Sequence, residues 1–148
     1  MRDKYNLERF ISAQDKCYDV VLNELRNGKK QTHWMWYTFP QITGLGKSEI
    51  SQYYAIKSID EAKEYMNNPI LNKRMKEVCN ILLSLNSNNP EKIFGYIDSL
   101  KLKSSMTLFN EILKEESIFK DMLNKYFDCK KDINTIAILQ RIGGFQKK

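Results

Sequence analysis

The chain has 148 residues, 42% of them hydrophobic and 28% charged, the size of one domain and enough to bury a sizeable core. That balance excludes disordered and fibrous classes, and no apolar run approaches membrane length, the best being Ile81-Leu82-Leu83 ahead of Ser84. The net charge is +6, from 24 Lys and Arg against 18 Asp and Glu, and its placement matters more than its size. Between Glu24 and Glu49 the only charged residues are Arg26, Lys29, Lys30 and Lys47; between Asp98 and Glu111 they are Lys101 and Lys103. If these acid-free windows meet in the fold, they focus a positive field on an anion. The first ten residues, MRDKYNLERF, hold no apolar stretch of the signal-peptide kind. Cys17, Cys79 and Cys129 are odd in number and scattered, which points to free thiols and a cytoplasmic protein.

In chain order, Asn6 is placed to cap a helix through Leu7, Phe10 and Ile11, and Asp15 a continuation through Tyr18, Val21, Leu22 and Leu25. Gly28 is a stop signal. Residues 29–47 have no period and form an irregular aromatic segment, with Pro40 keeping Phe39 extended. Ser48 begins a short helix through Tyr53 and Tyr54. Ser58 with Glu61 is a capping box, and Asn68-Pro69 is a cap with proline at the first helical position. The face Leu71, Met75, Val78, Leu82 and Leu85 carries that helix to about Leu85. Asn89-Pro90 repeats the device for a short helix ending at Gly95. Asp98 opens another short segment, Ser104 or Ser105 is read as the cap of a separate helix, Ser117 as the next cap, and Asp132 as the last, stopped by Gly143-Gly144. No alternating run or Asn-Gly hairpin signal occurs, and there is no internal repeat. The pattern predicts one all-α domain over 1–148, of seven to nine short helices.

Gly44-Leu45-Gly46-Lys47-Ser48 resembles the end of a phosphate loop, but Gln41 stands where the motif needs its first glycine and WYTFPQ is a poor strand. The plainer reading is a glycine turn into a Ser48-capped helix, with Lys47 beside it for an anion. His33 is the only histidine; a proton-transfer role competes with an ordinary hydrogen-bonded one. With no second histidine and no paired cysteines, no metal site is expected. Trp34, Trp36, Tyr37 and Phe39 put four aromatics in six positions; core packing competes with a ring that faces a pocket and stacks on a planar ligand. Lys101-Leu102-Lys103-Ser104-Ser105 offers two amines and two hydroxyls, suited to a phosphate or carboxylate at a helix start or simply to a solvated edge.

Across HWMWYTFPQITGLGKS the chain resembles a family of bacterial proteins catalogued as domain of unknown function eighteen-ten, some members of which carry the label calpastatin. The likeness starts at LERFISAQ, runs through ELRNGKK, HWMW, FPQ, GLGKS, YAI, EAKEYM and PILNKR, and reaches IFG and KLKSSMTLF. It implies a mainly helical fold and brings no activity. Gln31-Thr32, Lys47 and the Tyr-Ile after Gly95 depart from the family pattern and touch only local turns.

These readings combine into an uncharacterised protein with one pocket for an anionic, partly planar small molecule, nucleotide-like compounds included, with no cofactor. Trp34 or Trp36 would stack; Lys47, Lys101, Lys103, Ser104 and Ser105 would hold the anion; Gln14 and Gln41 would orient it; and His33 would carry any proton transfer. The competing readings are a nucleic-acid-binding basic surface and a protein-interaction module without a small ligand.

Overall fold

The computed structural model describes residues 3–143. Each helix starts or stops where the local chemistry requires it. The first two are α1 (Glu8–Asp15) and α2 (Tyr18–Arg26). The Asp3 carboxylate, rather than Asn6, takes the Leu7 and Glu8 N–H groups. Asn6 is left-handed and gives its carbonyl to Arg9. Asp15 likewise does not cap; it pairs with Arg74 at 2.6 Å. Gly28 does stop α2: at φ +72° its N–H returns to the Leu25 carbonyl while Lys29 N–H returns to Glu24, the pattern glycine permits there.

The aromatic segment holds one short helix, α3 (Met35–Thr38), followed by α4 (Glu49–Tyr54), which Ser48 caps by accepting from Ser51 N–H. Ser58 caps α5 (Ile59–Asn67) and Asn68 caps α6 (Pro69–Ser84), both as the sequence predicts. The Asn89-Pro90 pair starts α7 (Pro90–Phe94).

The expected break at Ser104 is absent. α8 (Tyr96–Ile112) is one continuous helix launched from Gly95 at φ +81°. Ser104 donates back to the Leu100 carbonyl at 3.1 Å, the in-helix alternative to capping. α8 buries residues around most of its circumference, from Ser99 and Leu102 to Phe109 and Glu111, so it reads as the central helix rather than an amphipathic one. α9 (Ser117–Phe127) and α10 (Ile133–Gly143) complete the order. Ser117 is the first residue of α9 rather than its cap. Asp132 does cap α10, accepting from Thr135 N–H and hydroxyl. The Gly144 half of the expected stop lies outside the described residues.

Ten helices therefore stand among the described residues, against the seven to nine expected, and the fold is all-α. One hydrophobic core runs from Leu7 and Phe10 through Trp34, Leu71 and Phe109 to Leu139. No helix of the described residues is long and apolar enough to cross a membrane. The irregular segment is anchored to this core by the buried Trp34, Met35 and Phe39 and by a parallel bridge of Ile42 with Ile56, both fully buried.

Candidate functional site: an aromatic hollow between α1, α3 and α4

The entry to the aromatic segment is organised by one buried acid. Glu24 on α2 accepts from the N–H groups of Gln31 and Thr32, the Thr32 hydroxyl and, at 2.8 Å, the Trp34 indole. Burial alone would raise the Glu24 carboxyl; these four donors outweigh it and hold it below the usual carboxylate range. Trp34 is thus a fully buried ring, packed by Phe39 and Phe94, and the expectation that it stacks on a ligand is corrected.

Gln14 is also structural. Its amide donates to the Tyr37 carbonyl and the Tyr65 hydroxyl and accepts from Arg74, so no donor is left for a ligand. Ser104 and Ser105 are buried inside α8, with no open helix start beside them; the anion site expected there does not exist in that form.

The two acid-free windows do meet. Lys30 Nζ lies 2.8 Å from one oxygen of Asp98, and Lys101 Nζ lies 3.4 Å from the other. Their meeting point is a carboxylate, so the positive field is partly cancelled where it would be strongest. Lys101 Nζ also sits 4.7 Å from the Trp36 ring centre, a cation–π contact. Lys103 is half-buried two residues on, and Lys47 is exposed ahead of α4. His33 is exposed; its carbonyl accepts from Tyr37 at 3.3 Å, and its imidazole has no hydrogen-bond partner among the described residues.

What the fold does assemble is a hollow of 470 Å³ whose lining includes Arg9, Ser12, Lys16, Tyr37, Tyr53 and Tyr54. That size is within the range of small-molecule sites, about 300–1,000 Å³. Tyr54 packs against Tyr37 at 5.3 Å and against Tyr53 at 4.8 Å between ring centres. Their carrier, α4, buries none of its residues, and Tyr53 is 54% exposed.

The helix is held instead by Arg9, whose five N–H bonds reach the carbonyls of Tyr5, Asn6, Tyr53 and Ala55 and the carboxylate of Glu61 at 2.6 Å. A buried guanidinium with every donor satisfied is a fixed strut. Burial pushes the Tyr37 hydroxyl well above its ordinary value, helped by its contact with the Cys17 thiol; burial, then Tyr53, pushes Tyr54 up as well. Both are therefore neutral donors at physiological pH. Lys16 adds one cation to the rim and Glu8 one carboxylate. The arrangement offers ring faces beside one lysine and one glutamate; among the described residues that line it, no nucleophile is paired with a base.

Tyr54 also borders a second, small hollow of 20 Å³ that includes Trp36, Gln41, Thr43, Gly46 and Ser51. Trp36 and Gln41 from the expected set are brought together there, and Lys101 reaches Trp36 from α8. A larger hollow of 770 Å³ lies against Asp3, Glu8, Asp60 and Glu64, where four acids against two lysines disfavour an anion. Sequence reasoning missed Ser12, Lys16, Tyr53 and Tyr54. The available signal was a short helix ending in two adjacent tyrosines with no apolar repeat to bury them.

Among curated proteins, none matches the chain. Its fold is similar to the crystal structure of the conserved hypothetical protein Rv1873 from Mycobacterium tuberculosis, with a TM-score of 0.90 and 40% sequence identity, covering 92% of this chain and 97% of that one. The family model described as "Protein of unknown function (DUF1810)" matches residues 4–139. With nearly the whole helical domain inside that match, the chain belongs to the DUF1810 family.

Proposed function

We propose that this domain binds a small molecule carrying a planar ring and an acidic group, a carboxylate or a phosphate, in the hollow between α1, α3 and α4. Nucleotide-like compounds fall within that class. The observation that carries the reading is α4 itself. It brings two tyrosines to a hollow of ligand size while burying no residue. Tyr54 packs on the core against Phe10, but a helix that otherwise presents an aromatic ring 54% exposed is better accounted for by contacts outside the chain. Tyr37 and Tyr53 supply ring faces, the Tyr54 hydroxyl donates a hydrogen bond, and Lys16 supplies the charge for the acidic group. Since the His33 imidazole has no partner to tune or orient it, no proton-transfer step is assigned, and the reading is one of binding.

The test is a two-dimensional NMR titration with adenosine monophosphate and with benzoate, on the wild type and on Tyr53→Ala, Lys16→Ala and His33→Ala. Shifts should cluster on Tyr37, Tyr53 and Tyr54, be lost in Tyr53→Ala and weakened in Lys16→Ala, and persist in His33→Ala. Shifts gathered around Lys101 and Lys103 instead, or no shifts with either compound at millimolar concentration, would overturn it.

A further inference from the structure

The wall that α1 gives to the aromatic hollow carries its charges in a set order. Glu8, Ser12 and Lys16 line it at four-residue steps, which puts all three on one face of the helix. Lys16, the residue after α1, keeps helical angles. At the helical rise, about 12 Å separates the backbone of Glu8 from that of Lys16. Glu8 also borders the larger, acidic hollow, but its carboxylate accepts from the Ser12 hydroxyl at 2.8 Å, and Ser12 lines only the aromatic one. That hydrogen bond turns the acid along α1 toward Lys16. Neither Glu8 nor Lys16 has an ion pair among the described residues. Arg9, the remaining charge of the lining, is neutralised by Glu61 at 2.6 Å. The hollow therefore has a free carboxylate at one end, a free ammonium at the other and no net charge.

The facing wall follows the same order. Tyr53 is tied to the first half of α1, its carbonyl accepting from Arg9 at 2.8 Å. The Tyr37 hydroxyl lies 3.4 Å from the Cys17 thiol, next to Lys16 in the chain. Tyr54 sits between them, 4.8 Å from the Tyr53 ring and 5.3 Å from the Tyr37 ring. A row of three rings thus runs from the Glu8 end to the Lys16 end. Side chains on one helix face lean the same way, so the two charges keep the offset of their backbones. With an ion contact of about 2.8 Å at each end, about 6 Å is left between a bound cation and a bound anion. That matches two extended residues, at about 3.3–3.6 Å each.

From this we infer that the ligand of the aromatic hollow is a zwitterion of dipeptide size: a free dipeptide whose terminal ammonium pairs with Glu8, whose terminal carboxylate pairs with Lys16, and whose aromatic side chain lies on the tyrosine row. A ligand with only an acidic group gains Lys16 and meets repulsion from Glu8. A zwitterion satisfies both ends, and its ammonium gains the face of Tyr53 as well. The inference rests on the proposed binding reading and adds the cationic end of the ligand to it.

Glycyl-phenylalanine, its N-acetyl form and its C-terminal amide test it, since acetylation removes only the positive charge and amidation only the negative one. In NMR titrations of the full chain, the free dipeptide should shift Glu8, Ser12 and Tyr53 as well as Lys16 and Tyr37. It should bind about fivefold more tightly than the N-acetyl form, the upper end for an exposed ion pair. Glu8→Gln should abolish that difference by weakening the free dipeptide and leaving the N-acetyl form unchanged. Lys16→Ala should likewise abolish the difference between the dipeptide and its amide. An N-acetyl form that binds as tightly as the free dipeptide, or a Glu8→Gln effect equal on both, overturns the cationic end, and the first comparison needs no variant to fold. Failure of the binding reading itself is distinguishable, because then none of the three peptides would move Tyr37, Tyr53 or Tyr54.

Discussion

Two aromatic clusters draw on residues 34–39, and they end in opposite environments. Trp34, Phe39 and Phe94 pack with ring centres 6.1 to 6.4 Å apart, all three buried, with the indole N–H consumed by Glu24. Tyr37, Tyr53 and Tyr54 pack as closely, at 4.8 and 5.3 Å, but two of the three stand on α4, a helix with no buried residue. Hydrophobicity does not separate the clusters; the fate of their polar atoms does. A buried ring whose one polar atom is satisfied inside the chain has a structural job. A ring on the surface whose hydroxyl finds no strong partner inside the chain has that capacity left for something else.

That contrast breaks most visibly at the first cluster. Trp34→Ala should cost about 4 kcal/mol of stability, the upper part of the large-to-small range for buried aromatics, as read from urea denaturation with an unchanged slope. Glu24→Ala should cost about 3 kcal/mol, because it strands the indole, two backbone N–H groups and a hydroxyl without their acceptor. A loss below about 1 kcal/mol in either variant would mean that this cluster is as dispensable as the exposed one.

Acid probes the same carboxylate without a deletion. The folded Glu24 titrates below its ordinary value of 4.5, so the native state binds that proton less readily than the unfolded chain. Its contribution is fully present above the unfolded value and disappears as pH falls through the lower, folded one. Glu24→Gln should therefore show a shallower loss of stability than wild type as pH is lowered through and below 4.5. Parallel curves for the two proteins would remove Glu24 from the account.

The caps were legible in the sequence because they are local. Ser48, Ser58, Asn68, Asn89 and Asp132 each satisfy N–H groups within three residues, so spacing alone reveals them. Gly28 and Gly95 were legible for the same reason. Ser104 misled because a serine in a central helix can bond backward to i−4 just as readily as forward, and only burial by distant helices decides which. The candidate site was less legible still. Trp36 and Gln41, singled out in the sequence, share the lining of the small hollow, but Lys16 and Tyr53 come to one hollow because Arg9, near the start of the chain, grips the carbonyls at Tyr53 and Ala55. No periodicity encodes a contact between α1 and the end of α4. Likewise, Asp98 closed the second acid-free window in sequence and turned out to bind the lysines of both.

The smallest expected effect on stability is the one that sharpens the comparison most. Tyr53→Ala removes a large ring, yet that ring is more exposed than buried, and α4 is held by backbone carbonyls that the substitution leaves in place. The change should lie within about 0.5 kcal/mol of wild type, the ordinary range for surface substitutions. Set against about 4 kcal/mol for Trp34→Ala, this measures one aromatic residue from each cluster by the same method. If Tyr53→Ala instead unfolds the protein, α4 contributes to the core after all, and its tyrosines need no ligand to explain them. If stability holds while ring-bearing acids no longer perturb Tyr37, the same residue is free of folding and required for binding. That is the combination a recognition surface produces and a packing residue does not.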